Sequence, residues 1–124
     1  LNRVSQFAEP LCKASGIQYK SIMEDEIKLF KLGKEEKRNL YMILKESINN
    51  SLKYAACKNI SISSSRDNKK LLIQITDDGK GFDPENISTG YGLRNIQNRA
   101  KAVGYKVKII TSPGNGTQIR LHKN

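Results

Sequence analysis

Between residues 35 and 56, Leu40, Leu44, Ile48 and Leu52 recur at every fourth position, supported by Ile43 and Ala55. This spacing draws one apolar stripe down a helix of about twenty residues, and such a stripe has to be covered by another apolar surface. Segments of strand character supply it. Ile17 to Met23 and Ile27 to Leu32 read as two short strands around the acidic turn Glu24-Asp25-Glu26. Asn59 to Ser63 and Leu71 to Thr76 alternate as strands joined by the turn Arg66-Asp67-Asn68, and a hairpin closes the chain, Tyr105 to Thr111 and Thr117 to His122, around Ser112-Pro113-Gly114-Asn115-Gly116. Two further helices are expected. Residues 2 to 14 put Val4, Phe7, Ala8 and Leu11 on one side and stop at Gly16, with Pro10 expected to kink or cap the helix. Leu93 to Val103 turns Leu93, Ile96, Ala100 and Val103 inward and stops at Gly104. Helices separated by strand pairs predict an α+β fold, a two-layer α/β sandwich with helices on one face of a mixed, mostly antiparallel sheet.

With 124 residues and neither a repeat nor a dividing linker, the chain is read as one domain, residues 1–124. Its 37% hydrophobic and 27% charged residues exclude a disordered chain. The longest apolar run is five residues, Leu40 to Leu44, too short for a membrane-spanning helix. The opening Leu-Asn-Arg-Val has no initiator Met or signal peptide, so the chain is expected to be cut from a longer protein that carries any membrane anchor in the missing part. Cys12, Cys57 and the single His122 cannot build a four-ligand zinc site. Counting leaves a disulfide open, but nothing suggests a secreted scaffold, and the Asn-x-Ser/Thr sequons at Asn49, Asn59, Asn86 and Asn115 carry little weight without a secretory signal. The formal charge of +10, from 22 Lys and Arg against 12 Asp and Glu, invites a nucleic-acid reading. Its lysines are spread along the chain without interleaved aromatics, which favours a solvated basic surface that suits an anionic ligand.

Four local patterns carry chemistry. Glu46, Asn49, Asn50 and Lys53 stand at i, i+3, i+4 and i+7 of the long helix and share one stripe. Asparagine costs about 0.5–0.7 kcal/mol relative to Ala inside a helix. The stripe is therefore either an ordinary solvated face or a carboxylate, an amide oxygen and an ammonium converging on a magnesium-bound polyphosphate. In Ile75-Thr76-Asp77-Asp78-Gly79-Lys80-Gly81-Phe82 a buried strand delivers an aspartate and breaks into Asp-x-Gly-x-Gly, a bare turn or a place where a flat ligand approaches the backbone. An EF-hand is excluded, since glycines stand where calcium oxygens are needed. Thr89-Gly90-Tyr91-Gly92-Leu93-Arg94 sets glycines at a helix N-terminus, a simple junction or an anion site. Gly114-Asn115-Gly116-Thr117 is explained by hairpin-turn chemistry alone. Neither the P-loop nor the dinucleotide fingerprint is present.

In this order and spacing the four patterns resemble the ATP-binding boxes of the Bergerat-fold family, shared by gyrase-type ATPases and bacterial histidine kinases. Glu46-x-x-x-Asn50-x-x-Lys53 looks like the N box, Asp77-x-Gly79-x-Gly81 the first glycine box, Gly90-x-Gly92-Leu93 the second, and Gly114-x-Gly116-Thr117 the closing motif. Arg38-Asn39-Leu40-Tyr41 leading into Lys45-Glu46-Ser47-Ile48-Asn49-Asn50 is similar to sensor histidine kinases of two-component systems, with a short lid, Phe82 to Thr89. The resemblance implies ATP and Mg²⁺ as ligands. It implies that Asp77 accepts the adenine N6 amine, that Asn50 holds Mg²⁺, that Glu46 acts catalytically near the γ-phosphate and that Lys53 neutralises phosphate charge. Gly79 and Gly81 would shape the adenine wall, Gly90, Gly92 and Leu93 would give lid and phosphate contacts, and Thr117 would support the adenine contact from the neighbouring strand.

Two departures stand out. Tyr54 occupies a position where many relatives have histidine, and the phosphoacceptor histidine with its helical hairpin is absent; His122 lies beyond the closing motif. The resemblance thus implies the catalytic ATP-binding domain of a sensor histidine kinase, passing the γ-phosphate to a histidine on a separate dimerisation domain, with a response regulator downstream. The alternatives are an ATP-hydrolysing conformational module of gyrase or chaperone type, against which the short lid and the lack of a transducer segment after residue 124 are read, and a Bergerat-fold protein serine kinase. The expected setting is a cytoplasmic domain of a membrane-anchored parent, monomeric in isolation, without a direct nucleic-acid partner.

Overall fold

The computed structural model describes residues 2–23, 32–54, 56–81 and 92–124. Along them run α1 (Asn2–Ala14), β1 (Gln18–Met23), α2 (Lys34–Tyr54), β2 (Asn59–Asp67), β3 (Lys70–Asp77), α3 (Leu93–Ala102), β4 (Tyr105–Thr111) and β5 (Thr117–Lys123). The strands form a sheet in the order β1-β2-β3-β5-β4. β1 runs parallel to β2, and the other neighbouring pairs are antiparallel. The mixed, mostly antiparallel α+β architecture is the one the periodicities predict.

Strand alternation decides which face the helices cover. In β2 and β3 every second residue is buried, among them Ile60, Ile62, Leu71, Ile73 and Ile75, and Ile119 and Leu121 continue that face in β5. Against it lie Leu40, Ile43, Leu44 and Ile48 of α2, each 0% exposed, with Val4, Ala8 and Cys12 of α1 and Leu93, Ile96 and Ala100 of α3. Each fully buried Val, Leu or Ile among them contributes about 1.5–3 kcal/mol through burial. Leu52, the last member of the four-residue repeat, is only partly buried, and Ala55 lies outside the described residues. Cys12 and Cys57 are free thiols.

Polar contacts fix how the helices sit. Arg3 lies over the Tyr41 ring at 4.9 Å and Lys45 over Phe7 at 5.1 Å, joining α1 to α2. At the start of α2, Glu36 accepts a hydrogen bond from the Tyr105 hydroxyl at 2.6 Å and one from Lys123 Nζ at 3.1 Å, which ties the helix to β4 and β5.

Several boundaries differ from the sequence reading. β2 runs on to Asp67 rather than stopping at Ser63, and the turn is Asn68-Lys69. Ser64 is 2% exposed and keeps the inward alternation going without an apolar side chain to signal it. Asn68 (φ 51°) and Lys69 (φ 67°) both adopt the left-handed conformation of a two-residue hairpin loop. α1 continues through Pro10, which sits on its exposed side. α2 ends at Tyr54 rather than residue 56. The strand expected over Ile27–Leu32 and its acidic turn lie outside the described residues, except Leu32, which is in no strand. α3 stops at Ala102, and Gly104 (φ 79°) donates its N–H to the Lys101 carbonyl at 3.3 Å, the expected glycine stop.

One side chain latches the sheet at its end. Asp78 Oδ1 accepts the N–H groups of Lys58 and Asn59, both at 2.8 Å, and Oδ2 accepts the Asn59 amide at 2.8 Å. Those donors, the Asn59 amide first, hold the Asp78 carboxyl below the usual carboxylate range. A depressed folded-state pKa means that the stabilisation is present above the unfolded value and fades as pH falls through the folded one. Asp78→Asn is therefore expected to unfold at lower temperature than the wild type at pH 6, with the gap closing as pH falls below about 4. Thermal melts of both proteins between pH 6 and pH 3 check this, and a gap that stays constant over the range would contradict it.

Candidate functional site

Asp77 ends β3 on the helix-covered face and is 7% exposed. A buried carboxylate persists only where hydrogen bonds replace its water. Here Oδ1 accepts the Gly79 N–H at 2.9 Å and Oδ2 accepts the Ser51 hydroxyl at 2.7 Å. An ionised carboxylate has about four lone-pair sites, so acceptor capacity remains for a ligand. Cys57 is close enough to feel this charge: burial pushes its thiol up to about 11, with the Asp77 carboxylate adding to the rise. Thr117 stands directly opposite Asp77 in the β3–β5 register, its hydroxyl 3.0 Å from that of Thr111.

The turns beside Asp77 pack backbone on backbone. Gly116 (φ 72°) is buried, and a Cβ added there would run into the Asp77 carbonyl oxygen and lie 3.3 Å from Asp78 Cα. At Gly81 (φ 64°) a Cβ would meet the Ser112 carbonyl and come within 2.9 Å of the Gly116 carbonyl oxygen. Gly114 donates its N–H to the Lys80 carbonyl at 2.6 Å. The Asp-x-Gly-x-Gly loop and the closing hairpin turn, distant in sequence, thus form one wall with Gly79 buried behind it.

Glu46, Asn50 and Lys53 lie on one side of α2, the first two part-buried and Lys53 exposed. Glu46 packs against Gly92 (φ 65°), where a Cβ would lie 2.8 Å from Glu46 Cδ. This brings the helix stripe to the entrance of α3. Leu93, the first residue of α3, is 5% exposed and belongs to the core, so what it can offer a ligand is its backbone N–H. Gly90, with the whole lid from Phe82 to Thr89, lies outside the described residues. Among the described residues no group of three or more His, Cys, Asp or Glu side chains could hold a metal ion. Glu46 and Asn50 are hard oxygen donors one helical turn apart. Mg²⁺ takes one or two protein oxygens and completes its octahedron with phosphates and water, so this donor set fits a phosphate-borne Mg²⁺.

Two residues escaped the sequence reading. Ser51 adjoins Asn50 but faces the core side of α2, and no periodicity reveals that its hydroxyl meets a carboxylate 26 residues away. Asp78 stood inside the Asp-x-Gly-x-Gly pattern without an assigned task, and its partners, Lys58 and Asn59, come from the start of another strand.

The glycine wall has a measurable consequence. Gly114 (φ 84°) has nothing within 4 Å of an added Cβ, whereas Gly116 faces the Asp77 backbone. Gly114→Ala is expected to cost about 1 kcal/mol of stability, the strain of a left-handed alanine. Gly116→Ala is expected to cost at least about 2 kcal/mol more, since backbone has to shift. Denaturant titrations of the two variants test the difference, and equal losses would contradict the packing.

Comparison with known proteins bears on this arrangement. Sensor protein VraS of Staphylococcus aureus (strain COL) is 33% identical over 97 residues, covering 77% of this chain and 28% of that protein. An uncharacterized sensor-like histidine kinase of Chloroflexus aurantiacus is 35% identical over 103 residues, 77% of this chain and 17% of that protein. The chain thus spans less than a third of either relative. The fold matches the catalytic domain of histidine kinase ThkA with a TM-score of 0.80 at 15% identity, over 98% of this chain and 87% of that one. It matches the Acinetobacter baumannii histidine kinase AdeS with a TM-score of 0.77 at 17% identity, over 99% of this chain and 62% of that one. Residues 35–124, which hold the α2 stripe, Asp77 and both glycine turns, match the model of the histidine kinase-, DNA gyrase B- and HSP90-like ATPases, and the chain belongs to that family.

Proposed function

We propose that residues 1–124 form the ATP-binding catalytic domain of a sensor histidine kinase, which binds Mg-ATP and donates the γ-phosphate to a histidine on a separate helical hairpin of the parent protein. The observation that carries this reading is the convergence of two unlike groups at one end of the sheet: a buried carboxylate acceptor, Asp77, and a hydrophilic helix stripe, Glu46, Asn50 and Lys53, joined through Ser51. The first suits a base and the second a polyphosphate.

In this reading Asp77 accepts the adenine N6 amine, with Thr117 beside it and Gly79 and Gly81 forming the wall along which the base lies. Asn50 gives its amide oxygen to Mg²⁺, Lys53 pairs with phosphate charge, Gly92 and Leu93 offer backbone N–H groups to phosphate, and Gly90 gives a further lid and phosphate contact. Bound Mg²⁺ supplies charge neutralisation across the phosphate oxygens. Glu46 positions the incoming imidazole, whose nitrogen forms the new bond to the γ-phosphorus as the bond to the β,γ-bridging oxygen breaks and ADP leaves. The same reading places the domain in the cytoplasm under a membrane-anchored parent, with a response regulator as the next phosphate acceptor. No described helix is long and apolar enough to cross a membrane.

Guanine presents a carbonyl where adenine presents an amine, so two acceptors would face each other in a GTP complex. GTP is therefore expected to bind far more weakly than ATP, and Asp77→Ala to lose about 1.5–3 kcal/mol of ATP affinity, the scale of a charge-assisted hydrogen bond. Titration calorimetry with both nucleotides decides it, and equal affinities would remove Asp77 from the base site.

His122 tests the acceptor. Its neighbour Leu121 is buried under the helices, so alternation puts His122 on the opposite face of the sheet, where Nε2 lies 3.2 Å from Asp67. A reacting nucleophile has to stand about 3–3.5 Å from phosphorus, and the whole sheet separates His122 from the α2 stripe. Incubation of the 124-residue chain with radiolabelled ATP is expected to leave His122 unlabelled, and a histidine-bearing hairpin added in trans is expected to take up acid-labile phosphate. Label on the chain that disappears in His122→Ala would overturn the assignment.

A further inference from the structure

Ser47 and Ser51 are buried one turn apart on α2, and they use their hydroxyls differently. Ser47 donates to the Ile43 carbonyl of its own helix at 2.9 Å, the usual outlet for a helical serine. Ser51 leaves its helix and donates to Asp77 Oδ2 at 2.7 Å, in a site where Ser51 is 6% and Asp77 7% exposed. The Gly79 N–H holds the other oxygen at 2.9 Å. A carboxylate with one donor on each oxygen has its plane and rotamer fixed, and the lone pairs left over point in set directions. Of these two donors only Ser51 belongs to a side chain, and it comes from the helix that also bears Asn50 and Lys53.

We infer that Ser51 is the positioning residue for base recognition: its hydroxyl holds Asp77 in the orientation from which the carboxylate accepts the exocyclic amine of the nucleotide. The inference rests on the reading of Asp77 as the base acceptor and adds the group that makes the acceptor selective. Without the Ser51 hydroxyl, the carboxylate can rotate about its Cβ–Cγ bond, and the amine meets an acceptor that has to be reoriented on each binding event. Because Ser51 acts through Asp77, its effect belongs to the amine alone. A ligand without that amine should not sense the change, whereas a defect in helix packing would weaken both ligands.

The test compares ATP with purine riboside triphosphate, which lacks the exocyclic amine, on the 124-residue chain by calorimetry. The wild type is expected to prefer ATP. Ser51→Ala is expected to lower ATP affinity about fivefold, the typical worth of one hydrogen bond, while affinity for the amine-free analogue stays within about twofold. Ser51→Thr retains a hydroxyl and is expected to keep the wild-type ratio. A wild-type preference that Ser51→Ala leaves intact overturns the role of Ser51 alone. Equal losses for both ligands, or the same loss of preference in Ser51→Ala and Ser51→Thr, assign the effect to packing and also overturn it. Absence of any preference in the wild type overturns the Asp77 reading and this inference with it.

Discussion

Everything at the site depends on how α2 lies on the sheet. One side of the helix is committed: Leu40, Ile43, Leu44 and Ile48 are all sealed against β2, β3 and β5. A close-packed interface of this kind resists sliding or rotation, because moving it by a single methylene is felt throughout. Three polar contacts then hold the ends, Glu36 to Tyr105 and to Lys123 at the start and Ser51 to Asp77 near the finish. With the buried side fixed, the direction of Glu46, Asn50 and Lys53 is fixed as well. The core and the site are two sides of one helix.

The second constraint is steric. Gly81 lies against Ser112 and Gly116, and Gly116 lies against Asp77 and Asp78. Contacts of this kind leave no room for a Cβ, and the left-handed φ values suit the same residue. The outcome is a rigid wall assembled from two turns, with the carboxylate of Asp77 set beside it and the Asp78 latch holding β2 and β3 together on its outer side. Under the proposed function this preorganisation serves base recognition, since a donor or acceptor that must first be ordered loses part of its worth to entropy.

Particular residues show how far the sequence could be read. The four-residue repeat of α2 and the alternation of Ile60 with Ile62 and of Leu71, Ile73 and Ile75 were legible because hydrophobic period reports local geometry directly. The boundary of β2 was not, since Ser63, Ser64 and Ser65 carry no apolar signal and Ser64 is buried only because the neighbouring strand and the helices enclose it. Pro10 favours a break in isolation, yet α1 runs through it while Val4, Ala8 and Cys12 on the same helix are buried in the core. Leu93 sits in a glycine motif and reads as a ligand contact, but its side chain belongs to the core.

By itself, then, the sequence determined the fold class, the order of the described helices and strands, and the set of residues from which a site could be made: Glu46, Asn50, Lys53, Asp77 and the paired glycines. These follow from local patterns, which need no knowledge of what the chain touches elsewhere. Which of them meet was decided only by tertiary structure. That Glu46 rests on Gly92, that Gly116 closes over Asp77, and that the hydroxyl of Ser51 reaches the carboxylate 26 residues away all depend on the sheet order β1-β2-β3-β5-β4 and on the angle at which α2 crosses it. Hydrogen bonds and close backbone contacts act over about 3 Å, and no pattern along a chain specifies separation on that scale between segments that fold past one another.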